Sequence, residues 1–404
     1  MSHTQTKKIG VATATIVGMN AMIGSGIFTA PATMASHVGP AGILAYLFVV
    51  GAIWFMASSI ARLAYLFPEE GSFYTYTKQW AGHRGGLLSV SLYFVGLLIA
   101  MGLLSRMAGV YLHPIFPMLS EYQLGLIALF ALVILNMFGV IFSELGQRIL
   151  ITCTVFPLIA TIILCLSKAS LSNLIPFAPH GIANVLKATR VVIFGFFGFE
   201  CASSLFTIVK NPARNVPRAL TYSIIFVGLL YTMFIASIIL STPLEYFVSP
   251  TQRISDILLI TFPYNPWLVK LIHFSILSAI IGTVHSMIWS SSCLLVLIVN
   301  KLKSPLAKKI QAAHIVNQKS SVIIVGGAIF LSYITLKNPD LFFSITATCL
   351  VSSFILSMIT LLTIPEEWKS QQNIKTILGI ITATIILIFA VEGLSHELIK
   401  ILSN

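Results

Sequence analysis

Two short glycine-containing stretches interrupt long apolar runs of this sequence. The first is Gly-Ser-Gly at residues 24–26, and the second is FGFFGFE, which contains Gly195, Gly198 and Glu200. Glycine weakens a helix interior and serine competes for backbone hydrogen bonds, so each stretch predicts a broken helix. Free N–H groups at a break bind an anion such as a carboxylate, and free C=O groups accept hydrogen bonds from an ammonium group. Two adjacent breaks would therefore hold both ends of a zwitterion.

Three polar side chains within apolar runs are further candidates for chemistry. Glu200 follows the second break, and a carboxylate in the middle of a membrane span is costly and usually functional. We predict a coupling or gating role for Glu200, with a structural hydrogen bond as the alternative. For His285 a satisfied packing role is favoured over proton shuttling. Arg106 is predicted to snorkel toward the membrane interface.

The composition requires that these residues be positioned by membrane helices. Of 404 residues, 57% are apolar and 9% are charged, whereas soluble proteins have about 25% charged residues. Apolar runs of roughly 18 to 30 residues suit spanning helices and not β-barrel strands. The net charge of +12 lies in basic residues between apolar runs, which argues against nucleic-acid binding. The five cysteines lie in apolar runs without CxxC spacing, so we expect free thiols and no metal site.

The apolar runs predict eleven membrane spans in a single transmembrane domain, residues 1–404. The spans are expected at 9–33, 41–66, 86–112, 122–143, 149–167, 187–208, 217–241, 267–299, 321–336, 341–363 and 375–394. With the N-terminus in the cytoplasm, sixteen of the 24 Lys and Arg residues fall on the inner side and seven on the outer side. This bias supports a cytoplasmic N-terminus. Eleven spans would leave the C-terminus outside, and a twelfth span would return it to the cytoplasm.

The two predicted breaks lie five spans apart. An odd number of spans in each half makes the second half enter the membrane from the opposite face. This predicts two inverted five-helix repeats at 9–167 and 187–363, with an additional helix at 375–394. Paired interrupted helices in inverted halves indicate the central binding site of a transporter.

Four motifs resemble those of the amino acid–polyamine–organocation (APC) transporter superfamily. They are GSGIF at 24–28, FPEEGSFYTYTKQWAG at 67–82, FFGFE at 196–200 and VKNPARNVPRAL at 209–220. Within the superfamily the chain looks most like the basic amino acid and polyamine antiporter branch. The resemblance implies an all-α, LeuT-like fold with discontinuous helices 1 and 6, an alternating-access cycle and amino acids or related amines as substrates.

The resemblance also implies which residues bind substrate. The substrate carboxylate is expected at the first break, formed by Ile23, Gly24, Ser25 and Gly26. The amino group and side chain are expected against Met101, Phe194, Gly195, Phe197 and Gly198. The family glutamate falls on Glu200. Phe194 and Met101 stand where arginine-exchanging relatives have Trp and Asn, which hold a guanidinium better. This departure favours a neutral or more apolar amino acid.

The predicted function is secondary active transport, as an antiporter or a proton-coupled permease. No GxxxxGK[ST] motif is present, so energy is expected from an ion gradient or from exchange. We expect a multi-pass protein of a bacterial inner membrane, with no cofactor and no metal. Its expected partners are the substrate, protons, lipid and a second copy in a homodimer.

The alternatives come from other protein classes. A sensor built on the transporter fold would usually carry an added soluble domain or long tail. A polytopic membrane enzyme would need clustered His, Asp or Cys near the membrane surface, whereas the nine His are scattered without HxxxD or HExxH motifs. A channel would not need two inverted broken helices.

Overall fold

The computed structural model describes residues 8–24, 26–67, 72–138, 144–200, 209–249, 252–313, 315–336, 338–365 and 373–403. These residues are almost entirely helical. Their helices are α1 Val11–Met22, α2 Gly26–His37, α3 Gly42–Leu66, α4 Ser72–Leu112, α5 Glu121–Met137, α6 Glu144–Ser167, α7 Ala183–Phe194, α8 Pro212–Ser241, α9 Ile254–Thr261, α10 Pro266–Lys301, α11 Pro305–Ala312, α12 Gln318–Thr335, α13 Pro339–Thr363 and α14 Asn373–Leu402. Ser25, a predicted binding residue, and Cys201, one of the five cysteines, lie outside the described residues.

Seven of these helices are long and apolar enough to cross a membrane: α3, α4, α6, α8, α10, α13 and α14. Helices α1, α5 and α12 are shorter and also apolar. Each of the eleven predicted spans coincides with a helix or with part of a broken one. The prediction of an all-helical, multi-pass membrane protein is therefore confirmed.

The helix ends differ from the predicted spans where helices continue into polar sequence. Helix α4 begins at Ser72, well before the predicted residue 86, and bends at Gly82, whose φ of 66° and ψ of −169° are not helical. Helix α14 continues to Leu402 instead of ending at 394. The short helices α9 and α11 were not predicted. Hydropathy marks only the apolar part of a helix, so segments at or beyond the membrane surface escape it.

The two halves of the chain are packed into each other and not side by side. Helix α1 packs against α6, α8 and α10, so most of its neighbours come from the second half. Helix α7 of the second half packs against α2 and α3 of the first half, and against α13 and α14. The starts of both interrupted helices are thus enclosed by helices of both halves. The division of the chain into two inverted repeats stays a prediction.

A backbone contact joins the halves at the face where α1 begins. Ile9 and Val209 form a parallel bridge, and the Lys210 N–H donates to the Ile9 carbonyl oxygen at 2.9 Å. Residue 209 is the first described residue after the second break. The segment that leads into the first broken helix is therefore bonded to the segment that follows the second.

Candidate functional site

The first break separates α1 from α2. Ile23 leaves the helix with φ −78° and ψ 81°, although its N–H still donates to Met19 O. The Gly24 N–H donates to Met22 O at 2.8 Å, and α2 begins at Gly26. The interruption predicted from Gly-Ser-Gly is therefore confirmed.

The second break begins where α7 ends at Phe194. Residues 195–200 continue as tight turns, in which Phe196 N–H donates to Ile193 O at 2.9 Å. Gly198 has a φ of 108°, a conformation that residues with a side chain rarely adopt. The interruption predicted from FGFFGFE is confirmed, and the residues after Glu200 up to 208 lie outside the described part.

The two breaks touch each other through their glycines. A Cβ atom on Gly26 would lie 2.6 Å from Gly195 Cα, and one on Gly198 would overlap the Ala21 carbonyl oxygen. Any side chain at either position would push the two backbones apart. Glycine is therefore required here for close approach of the backbones, as well as for the turn itself.

Hydroxyl groups from two other helices bond the carbonyl groups at the end of α1. Tyr231 on α8 donates to Met22 O at 3.0 Å. Thr283 on α10 lies 3.4 Å from both Asn20 O and Ile23 O. Neither donor was identified from the sequence, because a Tyr or Thr in an apolar span gives no spacing signal of its own. These carbonyl groups are stabilised within the protein, so a substrate ammonium would have to compete with Tyr231 and Thr283 for them.

The Glu200 carboxyl group is buried and connects the second break to α4. Tyr93 on α4 donates its hydroxyl to Glu200 Oε1 at 2.6 Å, and the Gly198 N–H donates to Oε2 at 3.1 Å. Glu200 is 3% exposed. The carboxyl group thus holds the turn that contains Gly198 and fixes its position relative to α4. These two hydrogen bonds support the alternative prediction, in which Glu200 makes a structural hydrogen bond.

Aromatic rings surround the second break on the side of α13. The Phe194 ring packs edge-on against Phe343, with ring centroids 5.0 Å apart. Phe354 lies 6.3 Å from Phe197 and 5.1 Å from Phe199. Phe343 and Phe354 share a face of α13, since eleven residues make about three helical turns. The sequence has this spacing, but nothing in it indicates that this face of α13 meets the second break.

The remaining candidates occupy other places. Met101 is fully buried on α4, and its carbonyl oxygen accepts a hydrogen bond from Ser105 at 2.8 Å. Its contribution to the substrate site stays a prediction. Arg106 Nε donates to Tyr333 O at 3.1 Å, and its guanidinium stacks 5.0 Å from the Tyr333 ring centroid. The half-buried Arg106 side chain thus connects α4 to α12. Its snorkelling toward the membrane interface stays a prediction.

His285 on α10 is buried, as a packing role requires. Asn136 Nδ2 on α5 lies 3.0 Å from His285 Nδ1 and 2.9 Å from Leu132 O. The pair links two membrane helices from different halves of the chain. The packing role predicted for His285 is therefore supported by a specific partner.

Comparison with known proteins gives relatives of one kind. Residues 9–393 match the family described as "Amino acid permease". The chain is 26% identical over 320 residues to a probable GABA permease of Pseudomonas aeruginosa, covering 74% of this chain and 66% of that protein. It is 25% identical over 272 residues to the branched-chain amino acid permease BcaP of Bacillus subtilis, covering 62% and 58%. It is 27% identical over 264 residues to the mitochondrial cationic amino acid transporter 3 of Arabidopsis thaliana, covering 59% and 43%.

These matches span between 43% and 66% of the lengths of those three relatives. The relatives are permeases and transporters, not enzymes. The family match extends over both broken helices and over the helices that enclose them. The chain belongs to the amino acid permease family.

Proposed function

We propose that this protein carries amino acids across a membrane by alternating access around the two breaks. Because the breaks meet at Gly26 and Gly195, we call them the crossed breaks. The observation that carries the proposal is the contact between Gly26 and Gly195, where a Cβ would lie 2.6 Å from the opposite backbone. It brings two interrupted helices together in the interior, which is the arrangement that transporters use to bind substrate near the bilayer midplane. The two inverted repeats predicted at 9–167 and 187–363 would rock around this contact.

The substrate we propose is a neutral amino acid with an apolar side chain. Phe194, Phe197 and Phe343 present aromatic surface at the second break. The carboxyl group of Glu200 is already bonded to Tyr93 and Gly198. A cationic side chain would therefore meet ring faces and would compete with Tyr93 and Gly198 for the Glu200 carboxyl group. The BcaP relative, named for branched-chain amino acids, agrees with this choice.

The residue roles proposed from the sequence fit this arrangement. The substrate carboxylate would bind at the first break, and the amino group and side chain at the second. The proposed binding residues are Ile23, Gly24, Ser25, Gly26, Met101, Phe194, Gly195, Phe197 and Gly198. Because Tyr231 and Thr283 bond the carbonyl groups at the end of α1, we assign the amino group to the second break and not to those carbonyls.

Glu200 is proposed as the coupling or gating residue. Its hydrogen bond from Tyr93 ties the second break to α4, so releasing that bond would free the break to move. Transport would be by exchange or by coupling to protons, in a bacterial inner membrane with the N-terminus in the cytoplasm. A homodimer stays part of the proposal.

Uptake into proteoliposomes tests the proposal directly. Purified protein is reconstituted and offered radiolabelled Leu, Val, GABA and Arg, with and without internal unlabelled substrate and with and without a pH gradient. We expect uptake of Leu or Val, stimulated by internal substrate or by an acidic exterior. Absence of movement of every amino acid in all conditions would overturn the transport function. Selective uptake of Arg would overturn the substrate class alone.

A Glu200→Gln variant separates the two roles of Glu200 in the same assay. Glutamine keeps an acceptor for Tyr93 but cannot exchange a proton. Loss of the pH dependence with retained exchange would support proton coupling. Unchanged pH dependence would remove the coupling role and leave the hydrogen-bonding one.

A further inference from the structure

Three contacts follow one face of α7 away from the second break. Phe194 packs against Phe343 on α13. One turn earlier, Arg190 Nη2 lies 3.4 Å from Asp340 Oδ1 on α13. One turn earlier again, Lys187 Nζ lies 2.6 Å from Glu392 on α14. Residues three and four apart share a helix face, so these contacts form a ladder between α7 and its neighbours.

The middle contact of this ladder is more protected than the last one. The side chains of Arg190 and Asp340 are 18% and 26% exposed, whereas those of Lys187 and Glu392 are 50% and 47% exposed. Arg190 Nη1 also donates to the Ser344 hydroxyl at 3.3 Å. Exposed ion pairs contribute little, whereas a less solvated pair with a second hydrogen bond holds its helices more firmly.

Helix α14 holds the Arg190 side chain in this position. Gly393 faces the guanidinium so closely that a Cβ there would overlap Nη1. The same helix is bonded to the start of α13, where Asn338 Nδ2 donates to Glu397 at 2.5 Å. Helix α14 lies outside the two predicted repeats, yet it touches both helices that meet at Arg190.

We propose that Arg190, Asp340 and Gly393 form a latch that closes the path to the crossed breaks from the side where α7 and α13 begin. This inference rests on the proposed function for its role in transport. The latch lies about one helical turn from the Phe194–Phe343 contact, toward the starts of α7 and α13, and the guanidinium must leave Asp340 before the two helices can separate. By the predicted orientation this is the outer side of the membrane. Gly393 makes α14 part of the closure, since only a residue without a side chain leaves room for Arg190.

Accessibility of a cysteine below the latch tests this without requiring transport. The five native cysteines are replaced by serine or alanine, and Phe194→Cys serves as the reporter in the full-length chain. Intact cells or oriented proteoliposomes are treated with a membrane-impermeant maleimide, and the labelling rate is measured. Arg190→Leu is expected to raise the rate about fivefold, which corresponds to roughly 1 kcal/mol of lost closure.

Lys187→Leu is the matched control, because it removes the same charge from the same helix but breaks only the exposed pair. Its labelling rate should equal that of the parent. Gly393→Val should raise the rate like Arg190→Leu, since it displaces the guanidinium without removing it. Asp340→Asn is the second variant should Arg190→Leu fail to give a monodisperse protein.

An equal labelling rate in the parent, Arg190→Leu, Asp340→Asn and Gly393→Val would overturn the latch. A raised rate in the Lys187 control alone would place the closure at the exposed pair instead. The labelling rate measures how accessible the crossed breaks are from outside, whereas the uptake assay measures which substrate is transported. A failed latch therefore leaves the transport proposal intact, and a failed uptake assay leaves the labelling result readable.

Discussion

At the scale of single residues, the crossed breaks depend on missing side chains and on hydroxyl groups supplied from elsewhere. Gly26 and Gly198 let two backbones meet where a Cβ would collide with Gly195 or Ala21. Tyr231 and Thr283 then bond the carbonyl oxygens that the end of α1 exposes. In lipid an unbonded carbonyl costs several kcal/mol, so these hydroxyls stabilise the break.

Gly26→Ala should strongly reduce transport by separating the breaks. The new methyl group would lie 2.6 Å from Gly195 Cα, a backbone atom that cannot move away alone. We expect uptake of the transported amino acid to fall about 100-fold, as misplacement by about 1 Å does at other sites. Gly327→Ala on α12 is the control, since its Cβ meets no described atom within 4 Å. Normal uptake by Gly26→Ala would show that the contact is not needed.

Tyr231→Phe should destabilise the protein by removing one of two donors to Met22 O, which keeps its hydrogen bond from the Gly24 N–H. The ring stays, so only the hydrogen bond at 3.0 Å is lost. The expected loss is about 0.5–1.5 kcal/mol in the free energy of unfolding, the net worth of one hydrogen bond. Thermal unfolding in detergent measures it as a lower midpoint. Tyr222→Phe, an exposed tyrosine on the same helix, should leave the midpoint unchanged.

The sequence located the breaks but not the residues that support them. Glycine and serine in an apolar run report directly on the local backbone, so both interruptions were predictable. Tyr231, Thr283, Phe343 and Phe354 act across helix interfaces, and a single sequence does not say which faces meet. The partner of Arg106 was missed for the same reason, because its acceptor, Tyr333 O, lies on a helix distant in the sequence.

At the scale of elements, polar pairs fix how neighbouring helices are aligned. Asn136 and His285 join α5 to α10 in the interior. Tyr93 and Glu200 join α4 to the second break, and Arg106 joins α4 to α12. In a bilayer, side-chain hydrogen bonds between helices are worth roughly 0.6 to 2 kcal/mol each. Several such bonds therefore fix the alignment of neighbouring helices more firmly than apolar packing alone does.

The α5–α10 pair can be measured by a double-mutant cycle. His285→Leu should destabilise the protein more than the bond is worth, because it takes the acceptor from one N–H of the buried Asn136 Nδ2. We expect about 1–3 kcal/mol from thermal or denaturant unfolding. Adding Asn136→Leu should recover part of that loss, since both polar groups are then gone. Strictly additive losses would mean that the two side chains do not interact.

Element boundaries were predictable only where the sequence changes from apolar to polar. Helix α14 was expected to end at 394 but continues to Leu402. Its extension places Glu397 beside Asn338, a contact that hydropathy does not report. The start of α4 at Ser72 was missed for the same reason.

At the scale of the whole molecule, the basic residues predict the orientation in the membrane. Lys303 and the other lysines between α10 and α12 should face the cytoplasm, and His180 before α7 should face outside. A cysteine at the exposed position 180 should react with an impermeant maleimide on intact cells, whereas one at position 303 should react only after permeabilisation. The reverse pattern would invert the orientation and with it the side of the proposed latch.

The bridge between Ile9 and Val209 has a consequence for how such a chain varies. Its one hydrogen bond joins the Lys210 N–H to the Ile9 carbonyl, so both atoms belong to the main chain. Replacing either side chain leaves the bond available, and proline at 210 is the substitution that deletes the donor. A net contribution of about 1 kcal/mol is small enough to be broken by thermal motion in each cycle. The main-chain hydrogen bond between the halves can thus be kept while the side chains around it are substituted.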